Sequence, residues 1–289
     1  MAIGEWARDS VWQRPLEEEG VEPHPGPRVL NKNVNGLASE DRFTKFLNEC
    51  ARAHALSSVY AFTIQEHGLS PGRHQMCVRQ ASQIGLLWIA AYAPSGLPNY
   101  RGTGTAILIP LDMIERRGNE TDADAKNRVI ASAARARDGS ICSLRTLIAG
   151  NALRITTAYA PPDSRYQERP GFFEKKLAGF VTPRTLLALD ANCVPEPLLD
   201  LKRAGSSPYH NEGAEELAHL VAQHRLVDIA REQLGSAPFF TSHHTTSTGI
   251  THTRIDQMYA PYIDSMIWTH ESAHNFHPPP PPRLPHATT

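Results

Sequence analysis

The sequence has no apolar run near the ~18–20 residues that a membrane-spanning helix needs, so no span is expected. Its first residues offer no apolar core for a secretory signal, because Glu5, Arg8 and Asp9 stand where one would lie. Cysteine is scarce. Cys50, Cys77, Cys142 and Cys193 fit no Cys-x-x-Cys spacing and read as reduced thiols of an intracellular protein, in nucleus or cytosol. Charge of one sign is also lacking. Twenty-nine Lys and Arg face 30 Asp and Glu, so the chain as a whole carries no nucleic-acid footprint, though a local basic rim around an acidic site is still allowed. No internal repeat of useful period occurs.

What is present suits a globular domain. The 289 residues are 40% hydrophobic and 20% charged, ample core material for one large domain or two small ones. Residues 1–27 are charged, proline-bearing and aperiodic and read as a disordered leader. Beyond Arg28, Val29-Leu30 begin a short strand. Phe43, Phe46, Leu47, Cys50 and Ala51 then mark an amphipathic helix over residues 40–54, capped by Ser39. Val59–Ile64, Gly85–Tyr92, Thr105–Ile109, Thr185–Leu189 and Ile255–Tyr259 read as strands, and Gly150-Asn151 separates two more as a hairpin. Residues 122–137, with acids first and arginines last, predict a helix, as do 164–180 with a break at Pro170-Gly171. Asn211 is placed to cap a helix carrying Leu217, Leu220 and Val221, and Ser242–Gly249 reads as a polar loop. Pro278–Pro282 form a polyproline stretch within an atypical segment, 270–289. Irregular alternation of strands and helices argues a mixed α/β domain.

Short polar signatures end the apolar runs: Asn33-Val34-Asn35-Gly36-Leu37, Gln65-Glu66-His67, Tyr159-Ala160-Pro161, Asp190-Ala191-Asn192 and Arg254-Ile255-Asp256. Singly, most have a plain structural reading. Asn and Gly are turn residues, a Glu at a strand end is ordinarily a surface carboxylate, and Tyr-Ala-Pro recurs at Tyr92 and Tyr259 as a strand terminator. The Asp190-Ala191-Asn192 signature is the most specific, because burying an acid and an amide without partners costs free energy.

In order and spacing these signatures resemble the endonuclease/exonuclease/phosphatase superfamily of metal-dependent phosphodiesterases, and most of all the apurinic-type endonuclease domain of LINE-type (non-LTR) retrotransposons. The segment Gly20–Pro27 also resembles the ribosome-skipping peptides of some such elements, with His24 in place of Asn. The resemblance implies an α/β (α+β) fold over residues 28–289, with two mixed β-sheets packed as a sandwich and helices on the outer faces. It implies a Mg²⁺-dependent endonuclease, Mn²⁺ being the alternative ion, that nicks DNA to leave a 3′-hydroxyl primer for a reverse transcriptase. Other enzymes of the same fold, such as an apurinic repair nuclease, a deadenylase or a phosphoinositide phosphatase, and a non-catalytic remnant are the alternatives.

Carried over residue by residue, Glu66 is the main metal ligand and Asn35 assists it. Asn33 lies beside the metal and the attacking water, Tyr159 and Asn192 contact the phosphate, and Asp190 orients or deprotonates the water. Arg254 belongs to the motif that resembles Ser-Arg-Ile-Asp and is expected at the substrate. Asp256 orients a histidine that stabilises developing charge. Asp228 and Arg231 read as structural. The family's C-terminal Ser-Asp-His is not intact. Its counterpart is His286, in Leu284-Pro285-His286-Ala287-Thr288, or alternatively His274, and the chain ends at Thr289.

Overall fold

The computed structural model describes residues 28–95, 102–203, 209–246 and 249–262. The expected leader, the 270–289 segment, His274 and His286 lie outside these residues. Two sheets form the centre. The first has the order β1 (Arg28–Asn33), β2 (Val59–Gln65), β4 (Thr105–Pro110), β3 (Leu86–Ala91). The second runs β10 (Leu226–Asp228), β13 (Asp256–Pro261), β8 (Thr185–Asp190), β7 (Asn151–Tyr159), β6 (Ile141–Ile148), β5 (Ala134–Arg135). A three-stranded ribbon joins β11 (Ser242–Thr246), β12 (Gly249–Thr253) and β9 (Leu201–Lys202).

The sheets face each other through Ala61, Ile89, Ile107 and Ile109 on one side and Leu144, Ile155, Leu186 and Met258 on the other, all buried. Each outer face is covered. Helices α1 (Glu40–Ser57) and α2 (His74–Gln83) lay Phe43, Leu47, Cys50 and Cys77 on the first sheet. On the second, α6 (Ala214–Gln223) and the helical segment after Arg169 bury Leu217, Leu220, Phe173 and Leu177. The result is the expected sandwich with helices outside, because central strands buried on both faces need a second apolar layer.

Local chemistry explains the boundaries. Ser39 caps α1, its hydroxyl accepting from Arg42 N at 3.2 Å. The β6–β7 hairpin turns at Ala149 and Gly150, both at positive φ (49° and 74°), as a tight two-residue turn requires. Four expectations are corrected. The helix expected over 122–137 is α3 (Asp122–Ala131) only; Ala134 and Arg135 instead pair with β6, and Arg135 Nε donates to Ala90 O at 2.8 Å. The 164–180 helix is a series of pieces: a 3₁₀ stretch from Asp163 to Glu168, α4 (Arg169–Gly171), a π turn over Phe172–Lys176 and a 3₁₀ turn over Leu177–Phe180. Asn211 caps no helix. It brackets Val194, accepting from its N–H at 2.7 Å and donating to its carbonyl at 3.0 Å, while Gly213 (φ 93°) stands at the N-cap of α6. Ser242–Gly249 contains strand β11, paired to β12, rather than only loop. Two further short helices, α5 (Pro197–Asp200) and α7 (Ile229–Leu234), connect strands of the second sheet and the ribbon. Among the described residues no helix is long and apolar enough to cross a membrane.

Candidate active site

Strand register assembles the site. In the second sheet β8 lies between parallel β7 and antiparallel β13, so Tyr159, Asp190 and Asp256 stand side by side on three neighbouring strands. In the first sheet β1 is parallel to β2, Asn33 opposite Gln65, and Glu66 follows at once. The two groups meet through Asn33. Its Nδ2 donates to Glu66 Oε1 at 2.7 Å and to Asp190 Oδ2 at 2.8 Å. Only the amide nitrogen can serve two carboxylates, which fixes the side-chain orientation. Its Oδ1 accepts from Asn35 N at 3.0 Å.

The backbone of the site is held in an uncommon conformation. Asn35, Glu66 and Asn192 all have positive φ, at 45°, 55° and 50°. Asparagine tolerates this region, whereas for Glu66 it is a strained state that the surroundings must impose. They do so through Gly36 N–H to Glu66 O and Leu37 N–H to His67 O, both 2.7 Å, and His67 N–H to Gly104 O at 3.2 Å. Beneath, the His67 imidazole accepts from Leu69 N at 3.0 Å and donates to Ala91 O at 3.0 Å. Burial lowers its pKa to about 4, so it is a neutral structural ring.

Asp190 is 2% exposed. Burial raises its pKa well above the usual carboxylate value, Asp256 across the strand pair and nearby Glu66 add to the rise, and the Asn33 hydrogen bond opposes it. Its Oδ1 accepts from Asn192 N at 3.1 Å. Asn192 in turn donates to Ala160 O at 3.0 Å, tying the Asp-x-Asn loop to the end of β7. The Tyr159 phenol is pushed far above its ordinary pKa, first by burial and then by the charges of Glu66 and Asp190. It therefore remains a hydrogen-bond donor. Asp256 is buried, its backbone N–H donating to Thr241 Oγ1 at 3.0 Å.

Asn33, Glu66, Tyr159, Asp190, Asn192 and Asp256 are thus brought together, with Asn35 exposed at the rim. Arg254 is not. The expectation that it touches substrate is corrected: its guanidinium is 0% exposed and fully engaged, Nε with Asp200 Oδ2 at 2.9 Å and Nη1 and Nη2 with Asp228 at 3.0 and 2.7 Å. Arg231 closes the network on Asp200 Oδ1 at 3.0 Å.

Sequence reasoning missed three supporting residues. Gln65 donates to Asn31 Oδ1 and Thr157 Oγ1, both at 2.7 Å, and so bridges the two sheets directly under the site. Fully buried Arg169 donates to Pro161 O and His210 O, each at 2.8 Å, and to Asp163. Asp200 anchors Arg254. No periodicity marks any of the three, and the one available signal, a polar residue within an apolar run, applies only to Gln65.

The donor set suits a hard divalent cation, which takes one or two carboxylates and keeps water for other positions. With Glu66 Oε1 on Asn33, Oε2 is directed toward Gly102, where an added methyl would stand 3.5 Å away. Among the described residues no group of three or more His, Cys, Asp or Glu forms a metal cluster.

No family profile and no curated protein matches the sequence. Solved structures do. The AP endonuclease LMAP from Leishmania major matches at a TM-score of 0.58 and 14% identity, over 90% of each chain. An AP endonuclease from Archaeoglobus fulgidus matches at 0.50 and 17%, over 81% of this chain and 86% of that one. The endonuclease domain of TRAS1, a telomere-specific non-LTR retrotransposon, matches at 0.47 and 15%, over 81% and 84%, too loosely to separate one member of the fold from another. The chain has the endonuclease/exonuclease/phosphatase fold.

Proposed function

We propose that the chain is a divalent-metal-dependent DNA endonuclease that hydrolyses a phosphodiester, of the type found in non-LTR retrotransposons. The carrying observation is Asn33, one amide holding carboxylates from two sheets at 2.7 and 2.8 Å. Such an arrangement keeps Glu66 and Asp190 apart by a fixed distance and leaves the face toward Tyr159 and Asn192 for a phosphate. Glu66 and Asn35 would hold the ion, Mg²⁺ or Mn²⁺, which when bound neutralises phosphate and leaving-group charge. Asp190 takes the proton of the attacking water. Asn33 and the Asn192 N–H orient that carboxylate. The Tyr159 phenol and Asn192 amide donate to non-bridging phosphate oxygens. By the same resemblance Asp256 would orient a histidine, His286 by preference. In an intact element the 3′-hydroxyl so made would prime a reverse transcriptase.

A plasmid-nicking assay with Mg²⁺ tests this reading. Nicking by the wild-type chain, lost in both Glu66→Ala and Asp190→Ala, is expected. Nicking that survives either substitution would refute the assignment. A second reading, apurinic-site repair, is favoured by the two neighbours named as AP endonucleases. A duplex with a single abasic site, cleaved at least tenfold faster than the intact duplex, would select it.

A further inference from the structure

The ribbon of β11 and β12 carries two histidines that the proposed chemistry does not use. His243 and His252 are directly opposed in the antiparallel register. Their Nδ1 atoms lie 2.6 Å apart, and the rings cross at 79° with centroids 4.7 Å apart. Two neutral ring nitrogens this close share one proton, one donating and the other accepting. Both Nδ1 atoms therefore aim at one point, on a ribbon where His243 is exposed and His252 half-buried.

The fold holds them there. Side chains of a strand alternate between faces, so His243 and His252 share one face of the ribbon, while His244, opposite Thr251, belongs to the other. The Phe240 ring lies 5.5 Å from the His252 ring. On its far edge β12 is paired to β9, Lys202 opposite His252 and Leu201 opposite Thr253. Lys202 is exposed, so its long side chain can keep the ammonium in water. At the root of the ribbon the Thr241 N–H donates to Thr253 O at 2.8 Å, and Thr241 Oγ1 accepts from the N–H groups of Ile255 and Asp256 at 3.1 and 3.0 Å. The backbone presenting both rings is thus fastened to β13 before either ring takes a ligand.

We propose that His243 and His252 form a binding site for a borderline transition cation, Ni²⁺, Cu²⁺ or Zn²⁺, in which the metal takes the place of the shared proton. Imidazole nitrogen suits these ions, whereas Mg²⁺ prefers carboxylate and water. The residues flanking the pair, Ser242, His244, Thr251 and Thr253, bring no carboxylate. Bonds of ~2.0–2.1 Å set two nitrogens about 2.9 Å apart at the right angle of a tetragonal ion and about 3.3 Å apart at a tetrahedral one. From 2.6 Å the rings need only a small rotation to reach either. The proton of the donor ring moves from Nδ1 to Nε2 of the same ring, both Nδ1 atoms bind metal, and water fills the other positions. Once one bond has formed the second is intramolecular, a gain of roughly 10²-fold over a lone surface histidine. The site uses none of the residues given a role in phosphodiester hydrolysis and does not depend on that reading.

The test titrates the full chain, free of any histidine tag, with NiCl₂ by calorimetry in millimolar Mg²⁺. A Ni²⁺ equivalent that Mg²⁺ does not displace is expected. His243→Gln and His252→Gln should each weaken it about 10²-fold, and the double variant no further. His244→Gln, on the opposite face, and Glu66→Ala should leave it unchanged. At [Ni²⁺] near 100 Kd, hydrogen exchange at the amides of β11 and β12 should slow by up to about 100-fold. In crystals of the wild-type chain soaked in Ni²⁺, anomalous scattering should place the ion within bonding distance of both Nδ1 atoms. No anomalous signal at the pair, a loss under about tenfold in either single variant, or an equal loss in His244→Gln would overturn the inference. The wild-type crystal needs no variant, so it decides even if a substitution unfolds the ribbon. Failure of Mg²⁺-dependent nicking would defeat the phosphodiesterase reading and leave the histidine site standing, and the reverse holds as well.

Discussion

Arg254 separates a structural from a substrate-binding role. Replacing it with Met removes three hydrogen bonds of 2.7–3.0 Å and leaves Asp228 without its guanidinium partner, while Asp200, 0% exposed, retains only Arg231. In the folded chain burial pulls the Arg254 pKa down, but the Asp228 hydrogen bond and charge more than offset it, so the side chain stays charged. Removing one partner of a buried ion pair costs roughly 3–5 kcal/mol, because an uncompensated charge is left behind. For a domain of this size each kcal/mol lowers Tm by roughly 2–4 °C, so Arg254→Met should melt about 6–20 °C below wild type. Arg254→Met combined with Asp228→Leu should recover part of that loss, since the orphaned carboxylate goes too. Thermal melts followed by circular dichroism, with urea titrations for ΔG, measure both. A drop of less than about 2 °C in Arg254→Met, with KM for DNA raised instead, would refute the reasoning and restore Arg254 to the substrate.

Other outcomes follow from the same geometry. Asn33→Ala frees both carboxylates, and a displacement of the order of 1 Å costs about 10²-fold in rate; single-turnover nicking that falls less than about threefold would show that the bridge is dispensable. His67 titrates near 6.5 when unfolded and near 4 when folded. Its contribution to stability is therefore complete above pH 6.5 and is lost as pH falls toward 4, by about 3 kcal/mol in all. In metal-free protein His67→Gln should flatten the wild-type loss over that window, and an unchanged slope in denaturant midpoints would contradict it. The thiols of Cys77, Cys142 and Cys193 are raised to about 11, 12 and 12, first by burial, and Cys50 is buried as well. The native chain should thus consume no aromatic disulfide reagent at pH 8 and should release four equivalents of thiolate only on unfolding.

Much was legible from the residues in order. Apolar runs of strand length, Ser39 before an amphipathic stretch, and a hairpin signal near Gly150 are local facts, and local propensity and burial act on them in the same way in any fold. The acid and amide residues at the strand ends were legible as well, since a polar group that closes an apolar run must be exposed, paired or used. The positions that went wrong have one property in common. Asn211 could serve a helix or a distant loop, and Arg135 could close a helix or open a strand; the choice lay with partners remote in sequence.

By itself, then, the sequence determined the long strands of the two central sheets, β1 to β4, β6 to β8 and β13, and the polar residues that terminate them, Glu66 and Asp190 among them. Only the tertiary structure decided that β8 runs between β7 and β13, setting Asp190 against both Tyr159 and Asp256. It alone decided that Asn33 joins the two sheets, that Arg254 turns inward to Asp200 and Asp228, and that a cavity lies beside Tyr159. The reason is physical: alternation and capping are energies between near neighbours, whereas register, ion-pair partners and cavities are set by the packing of distant segments, such as Asn33 and Asp190, 157 positions apart.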